Sequence, residues 1–118
     1  MKSPTVDQIM QQPVYSVDVT DLASTAIQIM EQHGIKKILV KDADSPRGVL
    51  MRWMITSSDL SRKVGEMSLL PFGRMPTTTS LDNARRQVAE YAAVYVHLPE
   101  DPKKIIGVVT AFDLVRSL

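Results

Sequence analysis

The chain has no cysteine, few aromatic residues and no long apolar run, and each lack removes a class of protein. Without cysteine among 118 residues there are no disulfides, thiolate metal sites or cysteine nucleophiles, which fits a reducing, cytoplasmic setting. The apolar runs fall far short of the roughly 18–20 residues a membrane helix needs, so no membrane role is expected. The start, "MKSPTVDQIM", holds no apolar stretch of the signal-peptide kind. Charge of either sign is not in excess: 14 basic against 13 acidic residues leave a net +1, and "SRK" and "KK" read as solvated surface rather than a nucleic-acid patch. No serine sits in a nucleophile elbow and no glycine-rich phosphate loop occurs. His33 and His97 fall in different elements with no third ligand, so neither a metal site nor catalysis is expected, and His33 should sit exposed at a helix end.

What remains is an ordinary globular composition, 44% apolar and 23% charged, with seven methionines to fill an aliphatic core. "DLASTAIQIMEQHGIKK" puts Leu22, Ala26, Ile27 and Met30 on one helix face, with Thr20 or Asp21 to cap it and Gly34 to end it. "IKKILV" reads as a strand, "KDADSPRG" as a turn, "VLMRWMI" as a strand and "TSSDLSRKVGEM" as the start of a helix. The same order returns. "SLDNARRQVAEYA" aligns Leu81, Ala84, Val88 and Tyr91, capped by Thr79 or Ser80; then come strand "VYVHL", turn "PEDPKK", strand "IIGVVT" and helix "AFDLVRSL". The front halves overlay with Pro13 on Pro71, Thr20 on Thr78 and Ala26 on Ala84. Beyond the turns Thr56, Asp59, Leu60 and Arg62 overlay Thr110, Asp113, Leu114 and Arg116, which places extra residues in the first turn. The expected division is 1–62 and 63–118, two units each too small to bury a large core alone, and therefore packed together.

Both repeats end a strand in Thr–x–x–Asp. As a capping box this needs no ligand: the aspartate reaches back to the threonine amide and the hydroxyl takes a first-turn amide. The same geometry suits a ligand. Free amides and a helix dipole seat a phosphate, and a carboxylate one turn along accepts from two neighbouring hydroxyls, as on a ribose. Glycine ahead of the apolar pair lets a flat ring approach. Arg62 and Arg116 read as i,i+3 partners of their aspartates.

Gly107-Val108-Val109-Thr110-Ala111-Phe112-Asp113-Leu114 resembles the closing motif of the cystathionine beta-synthase (CBS) domain family, and "VDQIM", "TAIQIM" and "HGIKKILVKD" resemble its opening parts. The resemblance spans nearly the whole chain as two tandem repeats. It implies an α+β fold of two β-α-β-β-α units packed through their sheets about a pseudo-twofold axis. Such pairs usually dimerise, have no catalysis of their own, need no cofactor, and bind AMP, ADP, ATP or S-adenosylmethionine in clefts between the repeats. The resemblance thus implies a regulatory module, a homodimer, acting on an effector protein that the sequence does not name. The rival is a structural or dimerisation module with vestigial pockets.

Carried over residue by residue, the resemblance puts Asp113 and Asp59 on ribose hydroxyls and Thr110 and Thr56 on ribose or phosphate. Val108 and Met54 would line the adenine, with Ser16 and Arg74 on the bordering strands. Ile35, Lys36 and Lys37 in one repeat, and Ala93, Val94 and Tyr95 in the other, follow the helix. Against the family pattern, Trp53 stands in the glycine position of the first repeat, and Ala92-Ala93 and His97 replace Gly-Ile and proline in the second. Trp53 is expected opposite Thr56 by strand alternation. With Gly107 open and Asp113 free beyond its cap, the second-repeat site is expected to be primary. "VDQIM" and "VGEMSLL" are expected to carry apolar surface for the dimer.

Overall fold

A computed structural model describes residues 3–117. The strands are β1 (Ser16–Asp18), β2 (Lys37–Asp42), β3 (Ser45–Met51), β4 (Gly73–Pro76), β5 (Val94–Leu98) and β6 (Asp101–Val109); the helices are α1 (Ala23–His33), α2 (Leu81–Val88) and α3 (Ala111–Arg116). They form two three-stranded sheets, β1-β2-β3 and β4-β5-β6. In each, the first pair is parallel, joined across a helix, and the second is an antiparallel hairpin. The duplicated α+β order expected from the sequence is present, save that the first repeat lacks its closing helix.

The contacts divide the chain differently from the expected 62/63 boundary. One unit is Tyr15–Pro71; the other joins the segment ending at Val14 to everything from Phe72 onward. Each sheet is edged by the segment that runs into the other sheet. Val6, fully buried, packs with Met75, Val94, Val96 and Val109, and Gln11 pairs with Val108. Leu70 pairs with Val49, and Leu69 packs on the core of Val17, Met30, Ile38, Val40 and Leu50. The apolar surface expected on "VDQIM" and "VGEMSLL" is in part spent here, since Val6 and Val64 are wholly buried.

The α1 stripe of Ala26, Ile27 and Met30 faces its core as expected. Gly34 ends α1 at φ 64, where a Cβ is disfavoured, and Ile35 N–H closes back on the Met30 carbonyl at 2.9 Å. The expected cap is not Thr20 or Asp21. The helix starts after Leu22, and its first amides, Ala23 and Ser24, donate to the carbonyls of Arg62 and Leu60. Asp21 instead takes the Asp18 amide, and Thr20 bonds the Asp18 carboxylate. α2 does carry a side-chain cap: Ser80 Oγ accepts from the Asn83 amide at 3.2 Å. Ala89 follows α2 in right-handed conformation, so where Ala92-Ala93 replaces Gly-Ile there is no left-handed stop.

Both hairpin turns are shorter than expected. β3 takes in "SPRG" and β6 takes in "DPKK", leaving two residues between the strands of each hairpin. Ala43 accepts the positive φ, 56°, that the tight first turn demands, held by its amide's bond to Asp18 Oδ1. The extra residues of the first repeat lie elsewhere. β3 stops at Met51, and "RWM" becomes a 3-10 turn before Thr56; β6 runs straight into Thr110.

Candidate functional site

Strand register corrects the position of the glycine. Gly48 pairs with Val40 as Gly107 pairs with Val96, so the equivalent of Gly107 is Gly48, not Trp53. Trp53 lies outside the strand, 75% exposed, and the alternation that set it opposite Thr56 does not apply. Met54, expected against adenine, instead packs on the core of its unit. The shared "GV" of "RGVLM" and "IGVVT" was the available signal.

Neither glycine is open to a flat ring. A Cβ at Gly48 would meet Leu69 Cβ at 2.6 Å and the Leu70 carbonyl at 3.0 Å; at Gly107 it would run into the Met10 side chain. The chain segments that edge the sheets pass over both positions.

The two Thr–x–x–Asp elements share one local design. Thr110 N–H and Oγ1–H donate to Asp113 Oδ2 at 2.8 and 3.2 Å; Thr56 N–H and Oγ1–H donate to Asp59 Oδ2, both at 2.9 Å. The expected arginine partners are in place, Arg62 at 3.1 Å from Asp59 Oδ1 and Arg116 at 3.5 Å from Asp113 Oδ1. The surroundings differ. Thr56 opens a 3-10 turn, Ser57–Asp59, where a helix was expected, and is exposed; the Asp59 side chain retains 15% exposure. The bonds from the Thr56 amide and hydroxyl, then Arg62, hold the Asp59 carboxyl below its usual value.

Asp113 is wholly buried at its side chain, and Gln11 Nε2 donates to its Oδ1 at 2.7 Å. The expectation that Asp113 has no task beyond its cap is therefore overturned: four donors surround its two oxygens. Gln11 was missed because it lies at the other end of the chain, outside any local motif. Beside it Gln8, Ile9, Met10, Asp113, Arg116 and Ser117 line a cavity of about 500 Å³.

The remaining second-repeat residues expected in a site are mostly structural. Val94 is in the core, Ala93 is fully buried, and Tyr95 is buried edge-on to Phe72, 5.7 Å between ring centroids. Burial pushes the Tyr95 phenol up. Val108 stands beside Tyr95 and is bonded through its backbone to Gln11. Arg74 donates to the Pro102 carbonyl. In the first repeat Ser16 is half-buried in β1 beside Leu39, and Ile35 packs on the core. Lys36 is exposed, its carbonyl taking the Arg52 amide at 2.8 Å, and Lys37 pairs with Met51. His33 lies exposed at the end of α1, stacked on Tyr15 at 3.9 Å.

The family model for the CBS domain matches residues 6–65 and 75–118. The chain belongs to the CBS domain family. Solved CBS structures share its fold. A CBS-domain protein of Burkholderia ambifaria, proposed to act in signal transduction, is 25% identical with a TM-score of 0.75, over 97% of this chain and 93% of that one. A hemolysin-like CBS protein of Oenococcus oeni is 13% identical with a TM-score of 0.83, over 98% and 90%. A CBS-pair protein of Arabidopsis thaliana is 18% identical with a TM-score of 0.77, over 98% and 94%. The chain spans 58% of the length of a similar protein of Methanocaldococcus jannaschii, 16% identical, TM-score 0.80 over 97% of this chain. No curated protein matches. CBS pairs are typically regulatory or signal-transduction modules. Among the described residues no helix is long and apolar enough to cross a membrane.

Proposed function

We propose that this CBS pair is a regulatory module that senses an adenosine-containing nucleotide, AMP, ADP, ATP or S-adenosylmethionine, through the Thr56–Asp59 turn. One observation carries the choice of turn. Asp59 Oδ2 is committed to Thr56, but Oδ1 carries only the bond from Arg62, and the group reaches solvent. A carboxylate accepts about four hydrogen bonds, so Asp59 retains capacity for a ribose hydroxyl that Asp113 has used. Exposed Lys36 adds attraction for phosphate worth about 1 kcal/mol or less. This reverses the ranking expected from the sequence, which rested on an open Gly107 and an uncommitted Asp113.

The module would act on an effector as a homodimer, a state favoured by the exposed Phe112 and Val115 on α3. Light scattering giving a monomer mass at tens of micromolar would refute the dimer. The rival, a structural module with vestigial pockets, is favoured by the sealed Asp113. Calorimetry of AMP, ADP, ATP and S-adenosylmethionine, with thermal melting, separates the two. A ligand at 100 times its Kd raises stability by about 2.7 kcal/mol. Asp59→Ala, checked for folding by circular dichroism, should weaken binding about ten- to a hundredfold. No response to the panel leaves the structural module.

A further inference from the structure

Asp113 is the one buried charged side chain among the described residues. An ionised carboxylate survives burial only when its oxygens are bonded. Its local partners, Thr110 and Arg116, have counterparts at Asp59 in Thr56 and Arg62. What Asp59 lacks is the fourth donor, the Gln11 carboxamide, which comes from 102 residues away.

Gln11 arrives by a backbone device present in both units. Its N–H donates to the Val108 carbonyl at 2.8 Å and its carbonyl accepts from Val108 N–H at 3.1 Å; Leu70 and Val49 exchange the same two bonds, both 2.9 Å. Register makes Val49 the counterpart of Val108, so Leu70 is the counterpart of Gln11. Leucine has nothing to donate. The strand-edge pairing is therefore structural in both units, and the carboxamide is an addition in one. Met10, next to it, lies against Gly107 and the core. The segment is fastened upstream: Val6 is fully buried, its amide bonded to the Thr79 carbonyl at 2.8 Å, and Leu81 N–H reaches the Pro4 carbonyl at 3.3 Å. The cavity of about 500 Å³ beside Asp113 is walled by this segment, through Gln8, Ile9 and Met10, and by Asp113, Arg116 and Ser117.

We infer that Met10 and Gln11 are a built-in occupant of the second-repeat site, an autoinhibitory plug that a nucleotide must displace. The carboxamide N–H gives Asp113 the hydrogen bond a ribose hydroxyl would give, and the thioether covers the glycine that would otherwise admit a flat ring. The anchors at Val6 and Leu81 do not depend on Gln11, so residues 8–12 can detach from the Val108 edge while the start of the chain stays held. Occupancy of the site and release of the segment then exclude each other's opposite: nucleotide in, segment out. The nucleotide, and with it the plug's role, rests on the function proposed above; the contacts of Met10 and Gln11 do not.

Two experiments on the full chain test it. In calorimetry with AMP, ADP, ATP and S-adenosylmethionine, wild type fills one site at concentrations where Met10→Ala/Gln11→Ala, shown folded by its melting curve, fills two. One equivalent in both forms overturns the plug and leaves the Asp59 site standing. Two equivalents in wild type, bound as tightly as in the variant, also overturn it. No binding to either form overturns it together with the nucleotide function. The second experiment needs no ligand. Gln11→Glu sets a second carboxylate against Asp113, so at pH 8 the amides of residues 8–12 should exchange hydrogen at least tenfold faster than in wild type, with those of β2 unchanged. Wild-type protection of 8–12 in that variant means the Gln11 bond does not hold the segment, and the inference fails.

Discussion

The units built on β1-β2-β3 and β4-β5-β6 carry the same Thr–x–x–Asp sequence and treat its carboxylate oppositely. Asp59 ends a short 3-10 turn, three donors around it and water within reach. Asp113 lies in a six-residue helix, four donors around it and no exposure. The motif is identical, so the difference comes from its setting: Gln11 bonds Asp113, whereas Asp59 is carried away from the matching Val49–Leu70 pair by the extra turn at Arg52–Met54. A motif fixes the local bonds of a carboxylate; its availability is set by a segment far away in sequence.

The largest expected effect breaks that contrast directly. Asp113→Ala empties a buried position and leaves the part-buried Thr110 amide and Gln11 carboxamide without their acceptor, and should cost about 3 kcal/mol of stability. Asp59→Ala should cost clearly less, because water can replace the lost bonds. Urea melts of both variants decide it; equal losses would mean that burial of Asp113 is not what distinguishes the two.

The glycines come next. A Cβ at Gly48 meets Leu69 Cβ and a backbone carbonyl, neither of which can swing away, so Gly48→Ala should cost about 1–3 kcal/mol. At Gly107 the obstacle is chiefly an unbranched Met10 side chain, which can turn, so Gly107→Ala should cost about 1 kcal/mol or less. The reverse order in denaturation midpoints would place the rigid crossing in the other unit.

How far the sequence could be read follows from the range of the forces involved. The α1 and α2 faces, Gly34, the Ser80 cap, strand β5 and both arginine partners were legible because each depends on neighbours within about one helical turn or one strand. The repeat was legible for the same reason. The turns were misjudged because Pro46 and Pro102 read as turn residues yet lie in β3 and β6. Bulges at Val40/Lys41 and along Val96–Leu98 shift the pairing there. Aligning by Thr56 and Thr110 then displaced the glycine onto Trp53. The exchange of edge segments, and with it Met10 over Gly107 and Gln11 on Asp113, had no local signature at all.

A smaller contrast concerns how the two long helices begin. Ser80→Ala removes the α2 cap and should cost about 1 kcal/mol. Thr20→Ala, at the other repeat's expected cap, should change stability by about 0.5 kcal/mol or less, since the first α1 amides are met by the carbonyls of Arg62 and Leu60. A larger loss at Thr20 would show that its bond to Asp18 matters more to the unit than the backbone closure of the helix.

The smallest effect is a dependence on acid in the Tyr15–Pro71 unit. Asp18 is held below the ordinary carboxyl value of 3.8 first by the Thr20 hydroxyl, then by the Thr20 and Ala43 amides. Asp59 is held below it by the Thr56 amide and hydroxyl and by Arg62. A carboxyl whose folded-state value is depressed binds a proton more readily when unfolded. Its stabilising effect is therefore complete above the unfolded value and fades as pH falls through the folded one. Both groups are partly exposed, so each effect is modest and weakened by salt. Hydrogen exchange of β2 from pH 6 downward should show its protection falling below about pH 4. The double variant Asp18→Asn/Asp59→Asn should be less protected at pH 6 and should flatten the fall. If the double variant loses β2 protection in acid with the same slope as wild type, the hydrogen bonds to these two carboxylates do not set the acid response of their unit.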